Sequence, residues 1–217
     1  MNVKNAAWVR ARLRPRMGRR VAALCGSIFA MGFCVAMFKL TGVGTDPCSC
    51  MNLGISGMLG ISFGTWQMTL NFALLLIVLR FAPERISLGT LVNMIFVGYI
   101  AEFFMALLGG LIPPQGLSLA MRALLFAPAM ALFLLAASVY MSVDLGYAPY
   151  DALPIILAAR TKRLSYRTIR MMWDLGALSI GFVLGATVGI ATVITGFCLG
   201  PAITAVGARL QGFFEDA

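Results

Sequence analysis

Few residues in this chain could do chemistry, and their types narrow the options early. The 217 residues include no His, which excludes an imidazole base, imidazole metal ligands and a histidine pH switch. Cys48-Ser49-Cys50 has the outline of a redox or metal motif. Cys25, Cys34 and Cys198 lie on other segments, however, so a full ligand set is hard to assemble. Small residues at a helix start are the simpler explanation. No nucleophile–base pair is visible, with Cys48 and Asp151 the nearest approach to one. The chain is therefore expected not to be an enzyme, and to need neither cofactor nor metal.

What remains is a set of polar residues in apolar surroundings. Asn71, Asn93, Glu102 and Asp174 each interrupt a long hydrophobic run. Such groups are costly in a membrane and usually face a cavity or a partner. Asp174 has an alternative partner in Arg170, one helical turn earlier. Asn71 could equally make a hydrogen bond that only packs helices together. Glu102 has no charged residue within four positions and is a candidate ion-coupling carboxylate, with snorkelling to the outer interface as the alternative.

The elements that must position these residues follow from composition. The chain is 60% hydrophobic and only 12% charged, against about 25% charge in a soluble domain. An integral membrane protein is implied. Five stretches are apolar enough to span: 21–41, 64–79, 88–108, 119–141 and a run from 171 to 208. The last would measure ~57 Å as one helix, too long for a ~30 Å hydrocarbon core. Splitting it near 185–190 gives six spans.

Charge tests the orientation. With a cytoplasmic N-terminus, 15 of the 17 Lys and Arg residues fall on the inner side, and only Lys39 and Arg122 at outer ends. The net charge of +9 then records topology, with no nucleic-acid partner implied. No A-x-A-like cleavage site follows the first apolar run, so the first helix is expected to be retained.

Self-comparison provides the sharpest signal. A shift of 102 or 103 residues aligns the two halves: Gly44-Thr45-Asp46-Pro47 with Gly146-Tyr147-Ala148-Pro149, and Ser62-Phe63-Gly64-Thr65 with Ser165-Tyr166-Arg167-Thr168. In the same register Asn71 falls on Asp174, Thr90 on Thr192 and Gly98 on Gly200. Each half holds three spans, and an odd number forces the second copy to enter from the opposite side. The expected architecture is all-α: six transmembrane helices as two inverted-topology repeats. Residues 1–20 form a basic cytoplasmic arm, 21–108 the first repeat, 109–118 an outer linker, 119–210 the second repeat and 211–217 a cytoplasmic tail.

Between the first and second spans of each half lies a short segment, 47–61 or 149–159, too short to cross. Asp46-Pro47 reads as an N-cap followed by proline at the first helical position. Pro149 begins the second copy, where Ala148 offers no capping side chain. Each segment either lies flat in the interface as an amphipathic connector or dips inward as a re-entrant half-helix. In the second case their N–H groups point at a central cavity and favour anionic groups. In the last span, Thr192, Gly196, Gly200, Thr204 and Ala208 form a stripe of small residues suited to close helix packing, within the monomer or in a homodimer.

Gly42–Gly98, with its Gly-x-Gly-Thr-Asp-Pro start, Ser-Phe-Gly-Thr-Trp at the second span and Gly-Thr-x-x-Asn at the third, resembles the YczE/YyaS/YitT family. These are multi-pass bacterial membrane proteins, largely without assigned activity. The resemblance covers most of the chain after residue 20 and implies a cell-membrane location. In the family a proline is often followed by an aromatic and then an acidic residue. Pro149-Tyr150-Asp151 fits that pattern, while Pro47-Cys48-Ser49 departs from it.

Two function classes follow. The first is a small secondary transporter or permeation protein for an anionic or zwitterionic solute held between the repeats. Asp46, Pro47, Asn71, Asn93, Pro149, Asp151 and Asp174 would line its site, and Glu102 would carry coupling charge. The second is a non-transporting regulator or assembly partner of another complex, in which the repeats are inherited architecture and the interior is dry.

Overall fold

In the computed structural model, residues 17–111, 116–161 and 163–189 are described, with scattered positions (192, 195–197, 201, 205–207 and 209) beyond them. The basic arm up to residue 16, most of the expected sixth span with its small-residue stripe, and the C-terminal tail lie outside the described residues. Among the described residues, seven α-helices have both ends defined, in order: α1 Met17–Thr41, α2 Pro47–Leu59, α3 Phe63–Phe81, α4 Leu88–Gly109, α5 Leu119–Ser142, α6 Pro149–Thr161 and α7 Tyr166–Val183. A single 3-10 turn, Pro83–Arg85, separates α3 from α4. No strand occurs among the described residues.

Among the described residues, four helices, α1, α3, α4 and α5, are long and apolar enough to cross a membrane. The expected span near 171 instead begins at Tyr166. It thereby takes in Arg167 and Arg170 beside Asp174, three charges in 18 residues. That helix is ~27 Å long, just short of a hydrocarbon core. It stops at Val183, and Gly185 follows with a φ of 80°, inside the break expected at 185–190.

Polarity is distributed inside out. Phe72, Leu76 and Leu79 of α3, Phe103 and Leu107 of α4, and Leu124 and Leu135 of α5 are exposed. Gln67, Asn71, Thr90, Asn93 and Asp174 are buried. A water-soluble fold would expose the second set and bury the first. The chain is a membrane protein, with its polar groups turned inward.

Contacts recur with the halves exchanged. Arg20 of α1 donates from Nη1 to the carbonyl of Val143, at the end of α5, at 2.8 Å. Arg122 of α5 donates from Nη1 to the carbonyl of Thr41, at the end of α1, at 3.0 Å. Each helix start thus meets the other's end, so α1 and α5 run antiparallel. A cation at a helix C-terminus satisfies an orphan carbonyl and opposes the helix dipole, which stabilises by up to ~2 kcal/mol when partly buried. Arg122 was one of only two basic residues at the expected outer ends, and this contact gives it a structural role there.

The second helix of each half begins with the same cap. Ser62 accepts from the Thr65 N–H at 3.2 Å, and Ser165 from the Thr168 N–H at 3.2 Å. The segments before α4 and after α7 also match: the Ser87 N–H donates to Thr90 Oγ1 and the Gly189 N–H to Thr192 Oγ1, both at 3.2 Å. Against these two caps sit the glycine breaks of the opposite halves. Gly146 has a φ of 95°, and a Cβ there would lie 2.6 Å from Thr90 Oγ1. Gly44 has a φ of 124° and would place its Cβ against Thr192 Oγ1. Only glycine suits these positions, on both backbone and steric grounds.

Candidate functional site: a buried cavity at two helix starts

Both short helices begin in the interior and end at the surface. In α2, Pro47, Ser49 and Cys50 are buried while Met58 and Leu59 are exposed; in α6, Pro149 and Tyr150 are buried while Leu157 is exposed. Each packs on the second helix of the opposite half, α2 on α7 and α6 on α3. The α2–α7 crossing is close because Gly54 faces Gly181, where a Cβ would lie 2.7 Å from the Cys50 backbone. The α3–α6 contact is filled by Val78, Ala152, Leu153 and Ile156.

As the residue types suggested, Asp46 caps α2. Its Oδ1 accepts from the Ser49 N–H at 3.0 Å, and its Oδ2 takes a longer contact of 3.4 Å from the Thr45 hydroxyl. Nothing comparable comes from Ala148 beyond its carbonyl, which accepts from the N–H groups of Asp151 and Ala152 at 2.9 Å. The second helix instead carries Asp151 in its first turn.

The two starts share one cavity of about 60 Å³. Its polar lining includes Asp46, Ser49, Gln67, Asn93, Asp151 and Arg170; Cys48, Tyr140 and Tyr150 also reach it, and Val35, Val97 and Phe133 supply apolar wall. Space of this size takes a few water molecules or a solute of a few heavy atoms.

A charge network forms one wall. Arg170 Nη1 donates to Asp151 Oδ1 at 2.7 Å and Nε to Asp174 Oδ2 at 2.8 Å. The Tyr150 hydroxyl donates to the other oxygen of Asp174 at 3.0 Å. Arg170 is 4% exposed and Asp174 1%, so both charges are desolvated and depend on each other. The guanidinium fork allows one cation to hold two carboxylates from different helices. Two buried polar groups on the cavity are left without a partner: the Asn93 amide nitrogen and the Tyr140 hydroxyl.

The expected site residues therefore separate. Asp46, Asn93 and Asp151 line the cavity directly, and Pro47 and Pro149 start the helices that frame it. Asp174 stands one step behind, reached through Arg170. Asn71 is buried on α3 but does not line the cavity; its amide nitrogen donates back to the Gln67 carbonyl at 3.0 Å. Glu102 is half-buried and lies against the start of α3, where its Oε2 would be 2.9 Å from a Cβ at Gly64, away from the cavity. Cys48 lines the cavity while Cys50 faces Gly181, so the two thiols diverge around the helix. The described cysteines, 25, 34, 48 and 50, are free.

Gln67, Tyr140, Tyr150 and Arg170 were not expected to line a site. Gln67 had a usable signal, since it is an amide one turn before Asn71 in an apolar helix. Arg170 was expected only as the partner of Asp174 one turn on, a pair the structure contains; its second contact, to Asp151 on another helix, has no signal in the sequence.

Residues 18–207 match a family of unknown function, DUF6198. With most of the chain covered, the protein belongs to this family. An uncharacterized protein of Haemophilus influenzae is 24% identical over 98% of this chain and 91% of its own length. The uncharacterized membrane protein YczE of Bacillus subtilis is 22% identical, over 73% of this chain and 71% of its own. The uncharacterized protein YyaS of the same organism is 21% identical, over 80% and 84% respectively. No solved structure matches the chain.

Proposed function

We propose that the protein is a small secondary transporter or permeation protein of the bacterial cell membrane. Its six spans form two inverted repeats with both termini cytoplasmic, and its solute, small and anionic or zwitterionic, binds between them. The observation that carries this is the cavity at the point where α2 and α6 both begin, whose largely apolar wall is broken by Asp46, Gln67, Asn93, Asp151 and Arg170. Broken helices in corresponding positions of two inverted halves are the usual frame of a transporter site. The exchanged contacts support the inverted arrangement: Arg20 to Val143 against Arg122 to Thr41, and Gly44 on Thr192 against Gly146 on Thr90. The buried starts and exposed ends of α2 and α6 favour re-entrant half-helices over flat interfacial connectors.

Rocking of one repeat against the other would expose the cavity to each side in turn. A non-transporting regulator would have no use for buried, unpartnered groups such as Asn93 and Tyr140 around an internal space, since each carries a desolvation cost. The test is uptake by the purified protein in proteoliposomes, across a panel of small metabolites and with imposed proton and sodium gradients. Saturable uptake of at least one solute is expected. Failure of every solute under every gradient would leave the regulator reading in its place.

A further inference from the structure

We propose that the cavity takes a small solute bearing an ammonium group, seated against Asp46 and Asp151, with a neighbouring oxygen that accepts from Asn93 and Tyr140. This rests on the cavity being a solute site; it sets aside a purely anionic solute and takes in zwitterions and simple ammonium compounds.

The charge balance carries the first half. Asp46, Asp151 and Asp174 stand at or directly behind the cavity against one cation, Arg170. Arg170 is committed to Asp151 and Asp174, and among the described residues no ion pair reaches Asp46, which is 4% exposed. The α2 start, which would otherwise attract an anion, is already occupied by the Asp46 carboxylate, and Asp151 sits in the first turn of α6. Among the described residues, a free anion would meet three carboxyl groups and one guanidinium already committed to two of them. An ammonium would offset an uncompensated buried charge and make charge-assisted hydrogen bonds to it.

The second half rests on independent groups. Asn93 is 5% exposed and Tyr140 1%, both line the cavity, and neither the amide nitrogen of one nor the hydroxyl hydrogen of the other has an acceptor. Both are donors, so they call for an acceptor oxygen on the occupant. A bare metal ion would supply charge but no acceptor, and among the described residues no group of three His, Cys, Asp or Glu side chains could hold one. Glycine and ethanolamine have the required pair of groups within a few heavy atoms.

The test uses the full-length protein in detergent and in proteoliposomes. Glycine, ethanolamine, methylammonium, glycolate and acetate are compared at matched ionic strength by calorimetric titration and by shift of the melting midpoint. Glycine or ethanolamine should bind saturably, methylammonium more weakly for want of the oxygen, and glycolate and acetate not at all. Asp46→Asn keeps the helix cap, since Asn caps as well as Asp, and should weaken ammonium binding at least about tenfold while the unliganded midpoint holds or rises, because an unpaired buried charge is removed. Asn93→Leu should weaken it as well. Saturable binding of acetate or glycolate without the amines, no binding by any of the five, or an Asp46→Asn protein that binds as the wild type would each overturn the inference. Amine binding without uptake would leave the inference standing and remove transport, whereas anion uptake without amine binding would do the reverse.

Discussion

Replacing Arg170 by Met is the perturbation with the largest expected effect on stability. The guanidinium is 4% exposed and supplies the hydrogen bonds that hold Asp151 at 2.7 Å and Asp174 at 2.8 Å. Without it, Asp174, itself 1% exposed, retains only the Tyr150 hydroxyl. Removing one partner from a buried ion pair costs about 3–5 kcal/mol, most of it from the stranded charge. For a protein of this size each kcal/mol lowers the midpoint by roughly 2–4 °C, so Arg170→Met should melt about 6–20 °C below the wild type. Thermal unfolding in detergent, followed by circular dichroism at one fixed scan rate, reads this. The decisive control adds Asp151→Asn and Asp174→Asn to the same chain. Because these remove the stranded charges, the triple variant should recover most of the loss. Arg170→Lys should fall between, since one ammonium cannot match a fork that serves two carboxylates. A single variant within about 1 kcal/mol of wild type, or a triple variant no better than the single one, would refute the argument.

Other expectations follow from the recurring contacts. Ser62→Ala and Ser165→Ala should each cost about 1 kcal/mol in the same melting assay, and by equal amounts, because both remove one N-cap acceptor of the same geometry. Arg20→Gln and Arg122→Gln should each lower stability by about 1–2 kcal/mol, and the double variant by close to the sum, as they act at separate helix ends. Gly146→Ala should cost at least about 2 kcal/mol from positive φ and overlap with Thr90, seen as loss of monodisperse protein on gel filtration. Thr90→Ser keeps the oxygen and should leave that profile unchanged.

Much of the fold was legible because local chemistry decided it. Asp46-Pro47 specified a capped helix start; the paired Ser-x-x-Thr segments, legible only as a repeat, are two more caps in the structure. The glycines at 44 and 146 marked breaks that positive φ now explains. Repeat register then predicted which residues would have counterparts across the halves. Features built from distant pairs were not legible. Nothing local says that Arg122 reaches Thr41, 81 positions away, so it looked only like a stray outer charge. Asp151 and Arg170 were seen separately, and their meeting required α6 to fold back beside α7. Asn71 stood out because the repeat pairs it with Asp174, yet it is Asn93 that lines the cavity, because helix rotation is set by packing and hardly by composition. Glu102 looked like the coupling charge because it stood alone in sequence; in space it lies beside the start of α3.

Access to the cavity from both sides of the membrane is the central claim, and Cys48 allows it to be measured directly. Cys48 lines the cavity, and replacing Cys25, Cys34, Cys50 and Cys198 by Ser would leave it as the sole thiol. In vesicles of known orientation, a small impermeant thiol reagent is applied from one side and then, in a parallel sample, from the other. Slow labelling from each side, altered when a bound solute biases one state, is the predicted result. A Cys48 that reacts from neither side, yet reacts fully once the protein is denatured, would contradict the account and identify the cavity as a sealed interior.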